Sequence, residues 1–155
     1  MFTRRITVKS PTWAIYDAWA VPSQIERWFL RSAEYVGFYG KPKDRNCGGE
    51  AGDGYLWKWH GYLDDVRRAG RRGERTYTFA FTFTSDCLVT VTVKEESGET
   101  VVELTQSRIP DDENHGIYVD CSYGWAFYLG NLKSVLEGGI DLRNKNVDIK
   151  NVINS

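Results

Sequence analysis

The sequence predicts an α+β domain in which a curved antiparallel sheet wraps around a long C-terminal helix, with two short helices after the first strand. Three observations predict it. Alternating apolar and polar residues recur every ~10–12 residues between turn signals, which is typical of antiparallel hairpins. Residues 118–136 change to helical spacing. The other two helical patterns are short and lie near the N-terminus.

The first elements are a strand and two short helices. Residues 5–9 alternate as a half-buried strand does. Ser10-Pro11 then opens a helix, because serine can cap and proline suits the first helical position. Pro22 ends that helix. Ser23 and Glu26 have the spacing of a capping box and predict a second short helix with one buried face.

Six or so antiparallel strands are predicted next, beginning with residues 34–39. The clearest strand spans Thr76 to Thr84, where one face is wholly aromatic and the other is small or hydroxylated. Ser97-Gly98 marks a turn between two strands rich in valine. An aromatic sheet face must be covered, and a twisted sheet curls, so it can grip a helix.

The long helix is the only amphipathic element able to cover that face. Its apolar residues fall at helical spacing over five turns, and Gly138-Gly139 stops it. The acids Asp111, Asp112 and Glu113 suit its N-terminus. We therefore predict one domain over residues 1–139 and a tail over residues 140–155, which we expect to be partly ordered or to pack on a neighbour.

Large side chains on a curved sheet do not always meet, and the space left over can hold a ligand. Buried tyrosine and tryptophan would give such a cavity a few polar groups. The alternative, a solid core made of the same residues, stays open. The predicted ligand-binding residues are Trp28, Trp57, Trp59, Tyr77, Phe79, Phe81, Tyr118, Cys121 and Trp125.

Composition excludes several classes of protein. A chain of 155 residues is the size of one domain, and its net charge of −1 gives no field that favours nucleic acid. No apolar run is long enough for a transmembrane helix, and the N-terminus lacks a signal peptide's apolar core. The three cysteines lie far apart, which favours a reduced, cytoplasmic protein without a disulfide framework.

Motifs over residues 5–143 resemble one known family. The longest runs from Gly124 to Lys133 and on to Leu136-Glu137, as a Trp-x-x-x-Leu-x-x-Leu helix. The others are Ile6-Thr7-Val8 with Ser10-Pro11, the helix Trp13 to Trp19, the Pro22 break, Trp28-Phe29, Gly61-Tyr62 and Gly139 to Arg143. Together they resemble the heat shock protein 90 ATPase activator homologue-like branch of the START/Bet v-type (SRPBCC) superfamily.

The resemblance implies the helix-grip fold and an internal cavity. Members of the superfamily bind varied lipids, hormones and aromatic compounds. The resemblance supplies no catalytic residue, because this branch shares no catalytic motif. The eukaryotic co-chaperone has an additional N-terminal domain, for which these 155 residues leave no room, and that weighs against a co-chaperone role.

Other motifs match catalytic or binding patterns poorly. Gly49 and Gly54 have P-loop spacing, but Tyr55 stands where lysine is needed, so we expect a loop between strands. The two histidines, His60 and His115, lack enough partners for a metal site. Cys121 is interpreted as a buried structural thiol without an activating histidine. The arginines of residues 67–75 are interpreted as a solvated loop rather than a nucleic-acid patch.

The leading hypothesis is therefore a cytoplasmic protein that binds a small apolar or amphipathic molecule, with no cofactor, metal, nucleic acid or membrane insertion. Two alternatives remain. A cyclase- or hydrolase-type enzyme would need a titratable group inside the cavity, and a chaperone ATPase-interaction module would need an exposed functional surface and a filled interior. A homodimer through the tail or a sheet edge is also left open.

Overall fold

A computed structural model of the chain describes residues 1–60, 62–74, 78–83, 86–149 and 152–154, and within 62–74 the backbone alone. The described elements, in chain order, are β1 (Phe2–Thr7), α1 (Thr12–Ala20), α2 (Pro22–Ile25), β2 (Ser32–Val36), β3 (Gly54–Trp59), β4 (Tyr62–Glu74), β5 (Thr78–Phe83), β6 (Cys87–Glu96), β7 (Glu99–Ser107) and α3 (Gly116–Leu136). The strands form one sheet in the order β1-β7-β6-β5-β4-β3-β2, and every neighbouring pair is antiparallel. The predicted fold class is confirmed.

The strands with the strongest alternation lie where the sequence places them. Phe79 and Phe81 of β5 are each 1% exposed and form the inward face of that strand. Tyr77 and the two ends of the predicted strand lie outside the described residues. Between β6 and β7, Ser97 and Gly98 both have positive φ, as a two-residue type I′ turn requires. The predicted hairpin turn is confirmed.

Both predicted helix caps are wrong. Pro11, rather than Ser10, occupies the N-cap position of α1, and no side chain caps that helix. Pro22 is the first residue of α2, so Ser23 lies inside the helix and donates to Asn46 instead. Proline needs no partner for its nitrogen and has the helical φ built in, which lets α2 begin without a capping side chain.

The second short helix and the second strand are shorter than predicted. α2 ends at Ile25, and Trp28 and Phe29 follow in turn conformation although both are buried. β2 ends at Val36 rather than at residue 39, because Gly40 has a φ of 76° and closes a turn there.

α3 begins and ends at identifiable signals. The Asp112 carboxylate accepts hydrogen bonds from the amides of Gly116 and Ile117, at 2.8 and 3.2 Å. This confirms that an acid of the 111–113 group serves the helix start. At the other end Gly138 has a φ of 81°, and a Cβ on Gly139 would lie 2.7 Å from the Ser134 hydroxyl. The predicted stop at this glycine pair is confirmed.

Candidate functional site

The candidate site lies between the inward face of the sheet and the helices. The backbone of α1 approaches β5 and β6, whereas that of α3 approaches β1 at the sheet edge. Aromatic side chains fill the space between α3 and the middle of the sheet. Trp125 of α3 reaches Phe81 and Phe83 of β5, with ring centroids 6.0 and 5.3 Å apart. The helix is therefore held against the middle of the sheet by rings rather than by close backbone contact.

Among the described residues, a network of ring contacts fills this space, and we call ten of its rings the aromatic cluster. Pairs within it are both stacked and edge-on, at centroid distances from 4.5 Å (Trp19 to Trp28) to 6.4 Å (Trp19 to Phe79). This range is typical of favourable aromatic pairs. The cluster consists of Trp19, Trp28, Phe29, Trp57, Trp59, Phe79, Phe81, Phe83, Trp125 and Tyr128.

The structure brings together six of the nine residues that the sequence singles out, namely Trp28, Trp57, Trp59, Phe79, Phe81 and Trp125. Cys121 is half-buried and packs against the core beside them. Tyr118 lies apart: it is 38% exposed, and its ring stands edge-on to Phe2 at 5.2 Å. Tyr77 lies outside the described residues, so its place in the cluster stays a prediction.

Sequence reasoning missed the centre of the cluster. Trp19 is fully buried and contacts five other rings of the described residues, among them Trp28 and Trp125. The signal was available, because α1 is apolar on more than one face and Trp19 lies on it. Phe29, which contacts rings from β3 and α3, was likewise assigned only to the buried face of a short helix.

Some N–H groups of the cluster and of the adjacent Gln106 are paired, and others are not. The indole nitrogens of Trp28 and Trp125 donate to the Ala18 carbonyl and the Gln106 side-chain oxygen, at 2.8 and 2.7 Å. Among the residues that the structure describes, the indole nitrogens of Trp19 and Trp57 and the side-chain nitrogen of Gln106 have no acceptor. A buried donor without a partner costs about 1–3 kcal/mol.

A second network ties the chain end to the domain, and we call it the tail anchor. Asn131 of α3 donates to the Trp28 carbonyl at 2.6 Å and to Asp141 at 3.0 Å. The Arg143 guanidinium, whose side chain is 1% exposed, pairs with Asp141 and donates to the carbonyls of Leu30 and Glu26, each at 2.8 Å. Residues that the sequence assigns to a weakly patterned tail therefore include a buried cation.

The surroundings of the tail anchor shift the pKa values of two groups, Asp141 and His60. Burial alone would raise the pKa of Asp141, but hydrogen bonds from Arg143, Asn131 and Lys145 outweigh it and hold the pKa well below its ordinary value. The pKa of His60 is lowered, first by burial and then by the positive charges of Arg143, Lys145 and Arg31. His60 thus stays neutral at physiological pH beside a cationic network.

Groups suited to metal binding or covalent chemistry are sparse in the described part of the chain. No cluster of three or more potential metal ligands occurs there. His115 and Asp111 approach to 3.6 Å, but both side chains are largely exposed. Cys47, Cys87 and Cys121, all of them among the described residues, form no disulfide bond.

A groove on the outer surface is separate from the aromatic cluster. Its volume is about 340 Å³, and it lies along α1 and α2. Burial raises the pKa of the Asp17 carboxyl on its wall. Its lining residues are Trp13, Ala14, Asp17, Val21, Ser23, Gln24, Arg27, Asn46 and Leu136. None of these residues was predicted to bind a ligand.

Solved structures share this architecture at low sequence identity. The protein SSP2350 from Staphylococcus saprophyticus has a TM-score of 0.71 and 20% identity, over 91% of this chain and 94% of that one. An AHSA1-like protein from Rhizobium etli has a TM-score of 0.63 and 22% sequence identity, over 97% of this chain and 89% of that one. The Aha1 dimer from Colwellia psychrerythraea has a TM-score of 0.68 and 16% sequence identity, over 89% of this chain and 96% of that one. At these identities the likeness shows the fold alone.

Sequence comparison assigns the family. A search of curated protein sequences finds no match. Within the described residues, no helix is long and apolar enough to span a membrane. The profile of the family described as Activator of Hsp90 ATPase homolog 1-like protein matches residues 9–137, which run from the end of β1 to the end of α3. The chain therefore belongs to the Activator of Hsp90 ATPase homolog 1-like family, within the helix-grip fold that its own residues predict.

Proposed function

We propose that this protein binds a small hydrophobic or amphipathic molecule between the sheet and α3. One observation carries the proposal: over β5 the interval under the helix is spanned by aromatic side chains, with Trp125 against Phe81 and Phe83. Side chains can change rotamer to admit a ligand where closely packed backbones cannot. The family fold, which commonly encloses a ligand cavity, supports the same proposal.

The cluster reaches the surface on one side, which gives a ligand a route inward. Phe83 of β5 and Cys121 and Tyr128 of α3 are half-buried, whereas Phe81 and Trp125 beneath them are almost fully buried. Burial of about 300 Å² of apolar ligand surface would supply roughly 7 kcal/mol before the costs of ordering. On its own, about 7 kcal/mol corresponds to a Kd of about 10 μM, so binding tighter than this needs hydrogen bonds or further burial in addition.

Trp125→Ala tests the proposal, with Leu132→Ala as the matched control. Both residues lie on the buried face of α3, 2% and 0% exposed, and two helical turns separate them. Each truncation should cost about 2–5 kcal/mol of stability. Only Trp125→Ala should change the Kd of an aromatic probe such as anilinonaphthalene sulfonate, by about fivefold or more, measured by isothermal titration.

Native mass spectrometry of the purified protein gives an independent readout. A retained adduct of a few hundred daltons, absent from the denatured mass, would support the proposal. Equal Kd changes in the two alanine variants, or no saturable binding of the probe to the wild type, would contradict it. Where Trp125→Ala does not fold, Trp125→Phe makes the same comparison with less lost volume.

A surface feature favours a second candidate function, a module that docks on a chaperone ATPase. Phe38 and Tyr39 are 85% and 89% exposed at the tip of the turn after β2, with their rings edge-on at 5.4 Å. Exposed aromatic pairs are typical of protein-docking surfaces. Replacing both with serine should abolish stimulation of an Hsp90-type ATPase if docking is the function, and leave binding of the aromatic probe unchanged.

A further inference from the structure

Three buried N–H groups of the site lack an acceptor among the described residues. They are the indole nitrogens of Trp19 and Trp57 and the side-chain nitrogen of Gln106. The three residues are 0%, 1% and 0% exposed, so bulk water does not reach them. Folded proteins leave few buried donors unpaired, and each such group calls for an explanation.

The three donors belong to side chains that contact Phe81 or Trp125. The Trp57 ring lies 4.8 Å from Phe81, and the Trp19 ring lies 6.3 Å from Phe81 and 6.2 Å from Trp125. The Gln106 side-chain oxygen accepts a hydrogen bond from the Trp125 indole at 2.7 Å, so the Gln106 amide lies beside the Trp125 ring. Phe81 and Trp125 thus contact residues of α1, β3 and β7 that carry unpaired donors.

Two acceptors beside the cluster already receive one hydrogen bond each. The side-chain oxygen of Gln106 is taken by Trp125, and the Thr82 carbonyl by the Tyr55 hydroxyl at 2.7 Å. The one buried acid in the described chain, Asp53, is paired with Lys43 at 2.8 Å beyond the cluster. Within the described residues, the three N–H groups therefore remain available to acceptor atoms supplied by a ligand.

We propose that the ligand is a flat aromatic molecule with hydrogen-bond acceptor oxygens, such as ring carbonyls, set to receive the N–H groups of Trp57, Trp19 and Gln106. Its rings would stack on Phe81 and Trp125, where aromatic surface is densest. The inference rests on the proposed binding function and narrows its ligand class. A ligand whose polar groups only donate would leave these three N–H groups unpaired and would bind more weakly.

Two probes of matched shape test the acceptor requirement, namely anthraquinone sulfonate and anthracene sulfonate with the sulfonate at the same ring position. They share a flat three-ring outline, and the quinone carries two carbonyl groups where anthracene has two aromatic C–H groups. Isothermal titration of the wild-type protein is expected to give a Kd for the quinone about tenfold lower or more, the gain of one well-made hydrogen bond. The ratio of the two Kd values is the readout, because changes in packing affect both probes.

Donor-removing variants complete the test. Trp57→Phe and Trp19→Phe each delete an unpaired N–H and should reduce the preference for the quinone severalfold, and either one suffices if the other does not fold. Trp13→Phe removes an indole that is 60% exposed on α1 and should leave the ratio unchanged.

The outcomes separate the two proposals. Equal binding of both probes, with a ratio that no variant changes, would overturn the acceptor requirement, because ordered water would then satisfy the donors, while ligand binding itself stands. Binding of neither probe would overturn the proposed function, and this inference with it.

Discussion

Replacing Arg143 with alanine should destabilise the protein far more than its place near the chain end suggests. The guanidinium donates to the main-chain carbonyls of Leu30 and Glu26 and pairs with Asp141. Alanine would leave both carbonyls and the carboxylate without this partner in a site that the tail otherwise closes. The segment after α2 and the end of the chain would then lose their shared cross-link.

The magnitude follows from burial. Removing one member of a buried ion pair costs about 3–5 kcal/mol. Because Asp141 is 21% exposed and keeps Lys145 at 3.1 Å, the lower end applies. We expect a loss of about 3 kcal/mol in the free energy of unfolding, measured by urea denaturation at neutral pH.

Lys145→Ala is the matched control, because it removes a cation from the same carboxylate. The Lys145 side chain is 56% exposed, and an exposed ion pair contributes about 0–1 kcal/mol. The reasoning is refuted if Arg143→Ala costs no more than Lys145→Ala, since burial of the guanidinium would then have no energetic consequence.

The tail anchor also predicts that the free energy of unfolding falls at acid pH. The pKa of Asp141 is lower in the folded protein than its ordinary value of 3.8, so the carboxylate stabilises the fold above about pH 4. That contribution is lost as the pH falls toward the folded pKa. Asp141→Asn should therefore lower stability at neutral pH and reduce the decline between about pH 4 and pH 2.

Two further predictions concern single side chains. The pKa of His60 is lowered from 6.5 in the folded protein, so protons bind the unfolded chain preferentially. The stability of the fold therefore falls as the pH drops below 6.5. His60→Gln should flatten this decline, measured by thermal unfolding between about pH 7.5 and 5.5. Asp112→Ala should cost about 1 kcal/mol by removing the acceptor for two amides at the start of α3. Asp111→Ala, at a 94% exposed carboxylate, should cost almost nothing, and equal losses in the two variants would contradict the capping role.

Local periodicity accounts for the parts of the fold that the sequence predicts well. The alternation in β5, the Ser97-Gly98 turn and the glycine stop after α3 are each determined by a few adjacent residues. Their structure can be argued without knowing what packs against them. Helix starts are less local, because α2 begins at Pro22 without the cap that Ser23 and Glu26 suggest.

Long-range partners explain what the sequence could not predict. Gln106 follows Val102 and Leu104 on the inward face of β7, but only the fold brings it to Trp125 on α3. Asn131 and Arg143 likewise acquire their roles from the Trp28 and Leu30 carbonyls, more than a hundred residues away in the chain. Asn131 and Arg143, which are buried by these distant partners, carry no periodic signal of their own.

The position of Tyr118 shows what helical spacing in a sequence does and does not predict. Spacing identifies the apolar stripe of α3, on which Tyr118 and Trp125 both lie. It does not say which part of that stripe lies over the middle of the sheet. Tyr118 reaches Phe2 on the edge strand, whereas Trp125 reaches the rings of β5.

The way α3 is held limits how a ligand could enter. Asp112 binds its first amides, Lys133 donates to the Thr7 carbonyl at 2.8 Å, and Asn131 donates to the Trp28 carbonyl at 2.6 Å. Lifting the helix would break the last two bonds, one of them buried, at a cost that a small apolar ligand offsets only in part. Rotamer changes of half-buried rings such as Tyr128 break none of them. Room for a ligand should therefore come from the side chains of the aromatic cluster while the helix stays in place.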